Sequence, residues 1–304
     1  MNDLVVETNG LTKRYGKRAV VDRLDLRVER GQIYGFLGLN GAGKTTTIRM
    51  LMGLIHPSAG SAQLFGRSVP AERMQVMRRV GALVESPSYY AHLSGRDNLK
   101  IVATLLDVPD RRIGEVLEIV RLTDDAKRKA GDYSLGMKQR LGIAAALIGS
   151  PDLVVLDEPT NGLDPAGIHE IRDLIRRMPR EHGITVLVSS HLLAEIDQMA
   201  TSVGVIHGGR LIFQGRIEEL RARSRGHVRV ETDRPADALA AVSGLGVKLT
   251  EEGDALVLDS TSPADAANVV RALVARDIGV FRVEERRLSL EDIFLELTRE
   301  AGAA

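Results

Sequence analysis

The stretch Gly38-Leu39-Asn40-Gly41-Ala42-Gly43-Lys44-Thr45 decides the fold of this sequence. It follows Gln32 to Leu37, a short apolar segment typical of a strand, and it precedes Thr46 to Leu54, whose apolar residues have helical spacing. Glycines let backbone N–H groups converge on a phosphate chain, since a Cβ atom would obstruct the approach. The positive end of the following helix adds to the attraction for anions. A strand, this loop and a helix together predict a phosphate-binding loop (P-loop) in an α/β protein.

Two side chains of this loop have predicted roles in holding a nucleoside triphosphate. The Lys44 ammonium reaches the β- and γ-phosphates, and the Thr45 hydroxyl binds Mg²⁺. A glycine-rich turn without a ligand is the alternative, but the flanking strand and helix favour phosphate binding. The residues predicted to contact the nucleotide are Gly38, Asn40, Gly41, Ala42, Gly43, Lys44, Thr45 and Thr46.

A second candidate site follows Leu153 to Leu156, an all-apolar run typical of a strand that is buried on both faces. Asp157 and Glu158 come directly after it, where the chain turns, so neighbouring carboxylates can do different work. We expect Asp157 to orient the Mg²⁺ shell and Glu158 to polarise the attacking water as a general base. Two solvated acids at the end of a strand are the alternative, and the P-loop earlier in the chain weighs against it.

The composition is ordinary for a soluble globular protein of 304 residues, with 44% hydrophobic and 27% charged residues. Lys+Arg and Asp+Glu are equal at 41 each, so bulk charge indicates no general attraction to nucleic acid. There is no Cys, which excludes disulfides and thiolate sites. Met1 to Val5 lacks the pattern of a secretory signal, and no apolar run of about 18 residues occurs. We therefore expect any membrane role to depend on a partner.

The order of elements predicts two domains. Residues 1–222 are β-rich at the start and then alternate strands with helices, which predicts a mostly parallel sheet covered on both faces. Val20 to Val28 alternates apolar and charged residues, as in a single half-buried strand. Three helical stretches in succession predict a helical subdomain inserted at about 86–150.

The tail, residues 226–304, has the predicted order βαββαβ, which indicates a small α+β module of the ferredoxin-like type. Ser262 is predicted to cap its second helix, followed by Pro263 in the first turn. Ser289 is predicted to begin a last helix with a capping box. The fold alone does not decide whether the tail is a stabilising dimer appendage or a ligand sensor.

The two candidate sites together resemble those of the ATP-binding cassette (ABC) ATPases. The segment Tyr133-Ser134-Leu135-Gly136-Met137-Lys138-Gln139-Arg140 is similar to that family's signature motif. It departs from the motif at Leu135 and Met137, where the family usually has Gly and Gln. The resemblance implies that Ser134 and the N–H of Gly136 contact the γ-phosphate held by a second subunit, so dimerisation becomes part of the chemistry. An ordinary helix N-cap is the alternative.

Three further segments match the family in its order along the chain. Asn161-Gly162-Leu163-Asp164 resembles the loop that crosses the dimer seam, and His191 stands where the family has its switch histidine. The resemblance implies that His191 hydrogen-bonds the γ-phosphate and the facing subunit. Tyr15 matches the aromatic residue that stacks on adenine. A simple helix cap at His191 and a plain edge tyrosine at Tyr15 are the alternatives.

Glu85 stands where the family usually has a Gln that contacts Mg²⁺ and the membrane partner. A carboxylate can also bind Mg²⁺, although it adds negative charge beside ATP. The variation Glu85-Ser86-Pro87 resembles that of the bacitracin- and lantibiotic-resistance branch of these ATPases. The similarity covers residues 1 to about 222 specifically and the tail only loosely.

The resemblance implies a P-loop NTPase core with an antiparallel β subdomain, in an ATP-binding and ATP-hydrolysing subunit of an ABC transporter that uses ATP and Mg²⁺. It implies a homodimer, or a paired ATPase subunit, on ATP binding. It also implies a transmembrane permease subunit, and a cytoplasmic position on the inner face of the cell membrane, with no nucleic acid bound. By analogy we expect export of a drug, a peptide antibiotic or a lipid-like substrate.

Two other functions fit the sequence less well. A soluble ABC ATPase acting on ribosomes or DNA usually carries two cassettes or a long coiled coil, and neither is visible in this sequence. A non-catalytic ATP-gated regulator would not need Glu158 and His191, which are both present.

Overall fold

A computed structural model describes residues 3–222, 226–253, 255–258, 262–287 and 290–303. The chain divides into two compact units, Met1–Ile217 with Glu300–Ala304, and Glu218–Arg299. The capping box predicted at Ser289 lies outside the described residues. In the described part of the chain, no helix is both long and apolar enough to cross a membrane.

Strands and helices alternate along most of the chain up to residue 222. In chain order the elements are β1 (Leu4–Tyr15), β2 (Arg18–Leu24), β3 (Arg27–Glu29), β4 (Ile33–Leu37), α1 (Lys44–Leu51), β5 (Ala59–Leu64), β6 (Arg67–Ser68), α2 (Val69–Met77), β7 (Val80–Leu83), α3 (Gly95–Leu105), α4 (Arg111–Ile119), a 3₁₀ turn (Ala130–Asp132), α5 (Leu135–Leu147), β8 (Leu153–Asp157), α6 (Pro165–His182), β9 (Thr185–Ser190), α7 (Leu193–Met199), β10 (Ser202–His207), β11 (Arg210–Arg216) and α8 (Ile217–Ala222).

A six-stranded sheet with the order β11-β10-β4-β9-β8-β7 forms the centre of the first unit. All neighbours pair in parallel except β10 and β11, which form an antiparallel hairpin. Strands β4, β8 and β9 are buried along their whole length, as the apolar runs in their sequences predict. Because parallel strands end at the same edge of a sheet, the loops after these three strands meet there. The candidate site lies at this edge.

A separate antiparallel sheet contains β2-β1-β5-β6, with β3 paired to β1. The single strand predicted from Val20 to Val28 is wrong, since the chain breaks between β2 and β3. The cause is the buried Thr8, whose hydroxyl donates to Leu24 O at 2.7 Å and accepts from Leu26 N at 2.7 Å. A side chain on the neighbouring strand therefore takes the place of two backbone partners at the break.

The inserted helical part consists of α3, α4 and α5, which follow one another along the chain. Ser94 caps α3 by accepting a hydrogen bond from Asp97 N at 3.1 Å. Ser134 caps α5 in the same way and accepts from Met137 N at 3.2 Å. The segment that resembles the signature motif therefore occupies the first turns of α5.

The second unit has its own sheet and its own apolar core. Val230, Leu256 and Leu273 are fully buried in that core. Ser262 caps α10 as predicted and accepts from Asp265 N at 3.4 Å. The remaining elements are β12 (Gly226–Thr232), α9 (Pro235–Val242), β13 (Leu249–Glu252), β14 (Ala255–Leu258), α10 (Pro263–Val274), β15 (Val280–Arg287) and α11 (Leu290–Ala303).

The topology of this second sheet is ferredoxin-like. Its strand order is β13-β14-β12-β15, and every neighbouring pair is antiparallel. Strand β14 thus lies between β12 and β13, which α9 connects, as in a split βαβ unit. The α+β class predicted for the tail is confirmed.

Candidate functional site

The P-loop connects β4 to α1 in a conformation that requires glycine at two positions. A Cβ at Gly38 would lie 2.6 Å from Ile206 O, and one at Gly43 would lie 2.8 Å from Val20 O. Gly43 also has a φ of 113° at the N-cap of α1, in the left-handed region that other residues rarely adopt. Helix α1 begins at Lys44, two residues earlier than predicted. The N–H groups of its first turn, which have no acceptor within the helix, are therefore part of the P-loop.

The remaining loop positions vary in their accessibility. Asn40 and Gly41 are exposed, Thr45 and Thr46 are half-buried, and Ala42 is buried. This arrangement leaves the outer side of the loop open for a phosphate chain.

Lys44 is buried, and its ammonium points back over the loop. It donates to Gly38 O at 2.6 Å and lies 3.0 Å from Glu158 Oε1. A buried ammonium needs acceptors on several sides, and here the loop's own carbonyl and a carboxylate provide them.

Asp157 and Glu158 have different environments although they are neighbours in sequence. Asp157 ends β8 and is buried, and its Oδ1 accepts from Ser189 Oγ at 2.6 Å. The Glu158 N–H donates to the same Ser189 oxygen at 2.9 Å. Glu158 has a left-handed φ of 49°, which directs its side chain away from that of Asp157. The two carboxylates thus have different surroundings, and the division of work between them stays a prediction.

His191 completes a cluster around Glu158. Its Nδ1 lies 3.0 Å from Glu158 Oε2, while Lys44 holds the other carboxylate oxygen. An ionised carboxylate only accepts hydrogen bonds, so the tautomer with a proton on Nδ1 fits this contact. We call Lys44, Glu158 and His191 the Glu158 cluster.

A cavity of about 460 Å³, the P-loop cavity, adjoins this cluster. Its lining includes three predicted Mg²⁺ ligands, Thr45, Asp157 and Glu85. Hydroxyl and carboxylate oxygens are the donors that Mg²⁺ prefers, so the residues present fit the ion. In the described residues no group of three or more His, Asp or Glu side chains is gathered around a point that could hold a metal. A Mg²⁺ ion here would therefore complete its shell with phosphate and water oxygens.

Glu85 has a partner that the sequence did not predict. It forms an ion pair with Arg49, which lies on α1 one turn after Thr45. Its φ of 65° is in the left-handed region, at the point where the chain leaves β7.

Three predicted residues lie outside the Glu158 cluster. Tyr15 is 53% exposed at the end of β1, with the Lys13 ammonium 5.2 Å from the centre of its ring. Ser134 and Gly136 begin α5, and a Cβ at Gly136 would have no neighbour closer than 4.0 Å. These residues thus present open surfaces to ligands or to a second molecule.

Ser189 is a site residue to which the sequence pattern alone assigns no role. It joins Asp157 to Glu158, and it does so because β8 and β9 are neighbours with Asp157 opposite Ser189. Only the pairing register shows this contact, and a single sequence does not give that register.

The fold and the site together define a P-loop ATPase of the cassette type. A glycine loop, a carboxylate pair and a histidine meet at one edge of a parallel sheet that carries a helical insertion. Residues 21–161 match the family described as ABC transporter. Residues 215–298 match the family described as ATP-binding protein DrrA1-3-like, C-terminal domain.

Relatives match the chain over nearly its whole length. It is 41% identical to the bacitracin transport ATP-binding protein BcrA of Bacillus licheniformis, over 96% of this chain and 97% of BcrA. It is 38% identical to the daunorubicin resistance ATP-binding protein DrrA3 of Streptomyces coeruleorubidus, over 98% of this chain and 97% of DrrA3. Among solved structures, cbiO1 of Clostridium perfringens, part of the transporter complex cbiONQ, has a TM-score of 0.67 at 26% identity, covering 72% of this chain and 91% of cbiO1.

The chain therefore belongs to the ABC transporter family, as its ATP-binding subunit, and it is an ATPase. The family resemblance and the fold class predicted from the sequence are confirmed.

Proposed function

We propose that this chain hydrolyses MgATP with Glu158 as general base and thereby drives export through a separate membrane-spanning subunit. The observation that carries the proposal is the position of Glu158. Its carboxylate is held between Lys44 and His191, within 3.0 Å of each, beside the P-loop. A base that takes a proton from water beside the γ-phosphate needs this placement.

Binding of ATP would exchange internal contacts of the P-loop for phosphate contacts. The Lys44 ammonium gives up Gly38 O and the Glu158 carboxylate and takes phosphate oxygens in their place. Glu158 then keeps His191 as its partner and turns to the attacking water. The exposed ring of Tyr15 is available to stack on adenine. These exchanges link nucleotide binding to activation of the base.

Three residues are proposed to hold Mg²⁺, namely Thr45, Asp157 and Glu85. When bound, the ion neutralises charge on the phosphates and orients them. Ser189 holds Asp157 by one oxygen and leaves the other for the metal's water shell. Glu85 must be shared with, or released by, Arg49 to reach the ion.

The complete site is proposed to form between two copies, or with a paired ATPase subunit. Ser134 and Gly136 of one copy face the γ-phosphate held by the other. The free surface at Gly136 and the positive end of α5 support this arrangement. The loop Asn161-Gly162-Leu163-Asp164 would cross the seam.

The names of the relatives support the proposed cargo. They include proteins named for bacitracin transport, lantibiotic transport and daunorubicin resistance. We therefore propose export of a drug or peptide antibiotic by a permease at the inner face of the cell membrane. Residues 1–222 would form the nucleotide-binding domain and residues 226–304 an accessory domain.

The variant Glu158→Gln tests the catalytic assignment. The amide cannot accept the proton, so hydrolysis of MgATP should fall by about 10²-fold or more. Binding of MgATP should persist, since Lys44 and the P-loop are intact. The measurements are steady-state phosphate release and equilibrium binding of a fluorescent ATP analogue.

The control is Glu118→Gln, which removes a carboxylate from the exposed side of α4. It should keep wild-type turnover. Rapid hydrolysis by the Glu158 variant would rule out Glu158 as the base.

A further inference from the structure

A buried carboxylate that the proposed reaction does not use lies behind the Glu158 cluster. Glu195, in the first turn of α7, is 8% exposed. Its Oε2 accepts hydrogen bonds from Thr160 Oγ1 at 2.6 Å and from Ser190 Oγ at 3.0 Å. Among the described residues no Lys, Arg or His pairs with it. A desolvated carboxylate without a cation is costly, so these two charge-assisted bonds stabilise it.

One of these bonds fixes the turn that carries His191. The Ser190 hydroxyl has one proton, and the carboxylate of Glu195 at 3.0 Å is a closer and stronger acceptor for it than Leu192 O at 3.3 Å. A lone pair of the same hydroxyl accepts from Leu192 N at 3.0 Å. The two residues that flank His191 are therefore joined around it. By orienting the Ser190 hydroxyl, Glu195 fixes the backbone from which the imidazole projects.

The other bond fixes the turn that begins at Glu158. Within this turn Asn161 N donates to Glu158 O at 3.1 Å, and Leu163 N donates to Thr160 O at 3.2 Å. The Thr160 side chain leaves the turn to reach Glu195. One carboxylate oxygen thus connects the turn of the base with the turn of the histidine.

The two turns are not tightly packed against each other at this point. A cavity of about 140 Å³ lies between them and is lined by Glu158, Thr160, Ser190, His191 and Glu195, among others. The β8–β9 ladder joins the strands before the two turns, and beyond the ladder the bonds to Glu195 add a polar link between the turns themselves.

We infer that Glu195 is a positioning residue that sets the distance between Glu158 and His191. It lies behind the Glu158 cluster and acts through Thr160 and Ser190. The inference rests on the proposed function for its effect on turnover, but its effect on His191 does not depend on turnover. When Glu195 is lost, the β8–β9 ladder and the Ser189 contacts still join the strands before the two turns. The turns themselves lose the link through Thr160 and Ser190, so the 3.0 Å distance between Glu158 Oε2 and His191 Nδ1 is no longer fixed.

The kinetic test compares Glu195→Ala and Thr160→Val with a matched control. In Glu195→Ala, kcat for MgATP should fall about tenfold or more, with KM changed far less, because misplacement of a catalytic group slows the chemical step. Thr160→Val should give a smaller fall. The double variant should be no worse than Glu195→Ala alone, since both changes remove the same link.

The control is Thr185→Val. Thr185 is buried, as Thr160 is, and its hydroxyl accepts from Gly31 N at 3.0 Å, but it begins β9, at the end opposite Ser190. Its loss should lower the melting temperature about as much as Thr160→Val and leave kcat unchanged. A purely structural role for Glu195 predicts the same pattern in Glu195→Ala, namely lower stability with normal kcat per ATP-binding molecule.

A spectroscopic test separates this inference from the proposed function. The protein is isotope-labelled at histidine, and the NMR signals of the His191 ring are assigned by their loss in His191→Ala. The chemical shifts of these signals should change in Glu195→Ala and Thr160→Val but not in Thr185→Val. If Glu195→Ala does not fold, Glu195→Gln, which keeps the side-chain volume, takes its place in the same measurements. Unmoved His191 signals would overturn the inference. If Glu158→Gln still hydrolysed MgATP rapidly while the His191 signals responded to Glu195, only the proposed function would be overturned.

Discussion

At the scale of single residues, Arg49 and Glu85 show how a departure from the family pattern is accommodated. A carboxylate at position 85 adds a negative charge to a cavity that already contains Asp157 and Glu158. Arg49 pairs with it and compensates that charge, so the pair is close to neutral, as is the Gln that the family resemblance leads us to expect at this position. Both side chains are more than a third exposed, which makes the pair a minor contributor to stability.

Arg49→Met therefore tests charge compensation and has little effect on folding. The free energy of unfolding should change by less than about 1 kcal/mol. The affinity for ATP in the absence of Mg²⁺ should fall several-fold, because an uncompensated Glu85 repels the triphosphate. The double variant with Glu85→Gln should recover that affinity. Equal weakening in the single and double variants would show that Arg49 acts on its own.

Sequence reasoning reached the residues that act locally and missed those that act across strands. Roles could be assigned to Lys44 and Thr45 because the whole phosphate-binding loop and the start of its helix lie within eight consecutive residues. Arg49 was missed because its partner is 36 residues away. Glu195 was missed because Thr160, one of its two partners, is 35 residues away and reaches it only through the pairing of β8 with β9.

At the scale of elements, the position of α5 depends on its close approach to the central sheet at glycine residues. A Cβ at Gly81 in β7 would lie 2.0 Å from Ala146 O in α5. The helix that Ser134 caps therefore lies directly against the strand beside β8. Only glycine permits this contact without a shift of the helix.

Gly81→Ala should accordingly destabilise the protein by roughly 1–3 kcal/mol. The added Cβ would meet the backbone carbonyl of Ala146, which cannot move aside as the end of a flexible side chain can. Gly114→Ala on α4 is the matched change, because a Cβ there meets nothing within 4 Å. It should stabilise by roughly 0.5–1 kcal/mol through helix propensity. Urea unfolding of both variants gives the comparison. The same sign of effect in both would contradict the packing argument.

Strands that are buried on both faces could be predicted from the sequence. For half-buried strands, the sequence did not show where each strand begins and ends. The run Leu153 to Leu156 is followed directly by a turn, which favours a short buried strand, and it forms most of β8. In Val20 to Val28, apolar and charged residues continue to alternate across the break between β2 and β3. The reason is that Leu24 and Leu26, on either side of Asp25, are both buried in the core. A period of two does not report whether the ladder continues.

At the scale of the whole molecule, the chain contains two separately built cores. One is formed by residues of the first unit, including Phe36, Val155 and Leu187, and the other by residues of the second, including Val230 and Leu256. Two family matches divide the chain in a similar way, at residues 21–161 and 215–298. Nucleotide contacts are proposed in the first unit alone, so a ligand should stabilise the two units unequally.

Hydrogen exchange measures this difference. A ligand at 100 times its Kd stabilises the state that binds it by about 2.7 kcal/mol, which slows exchange through global opening about 100-fold. With a non-hydrolysable ATP analogue and Mg²⁺, the slowest amides of β4, β8 and β9 should slow by this factor. Those of β12 and β14 should not change if their unit opens independently. Equal slowing in both sets would instead mean that the two units unfold together, and the tail would then be a structural part of the ATPase.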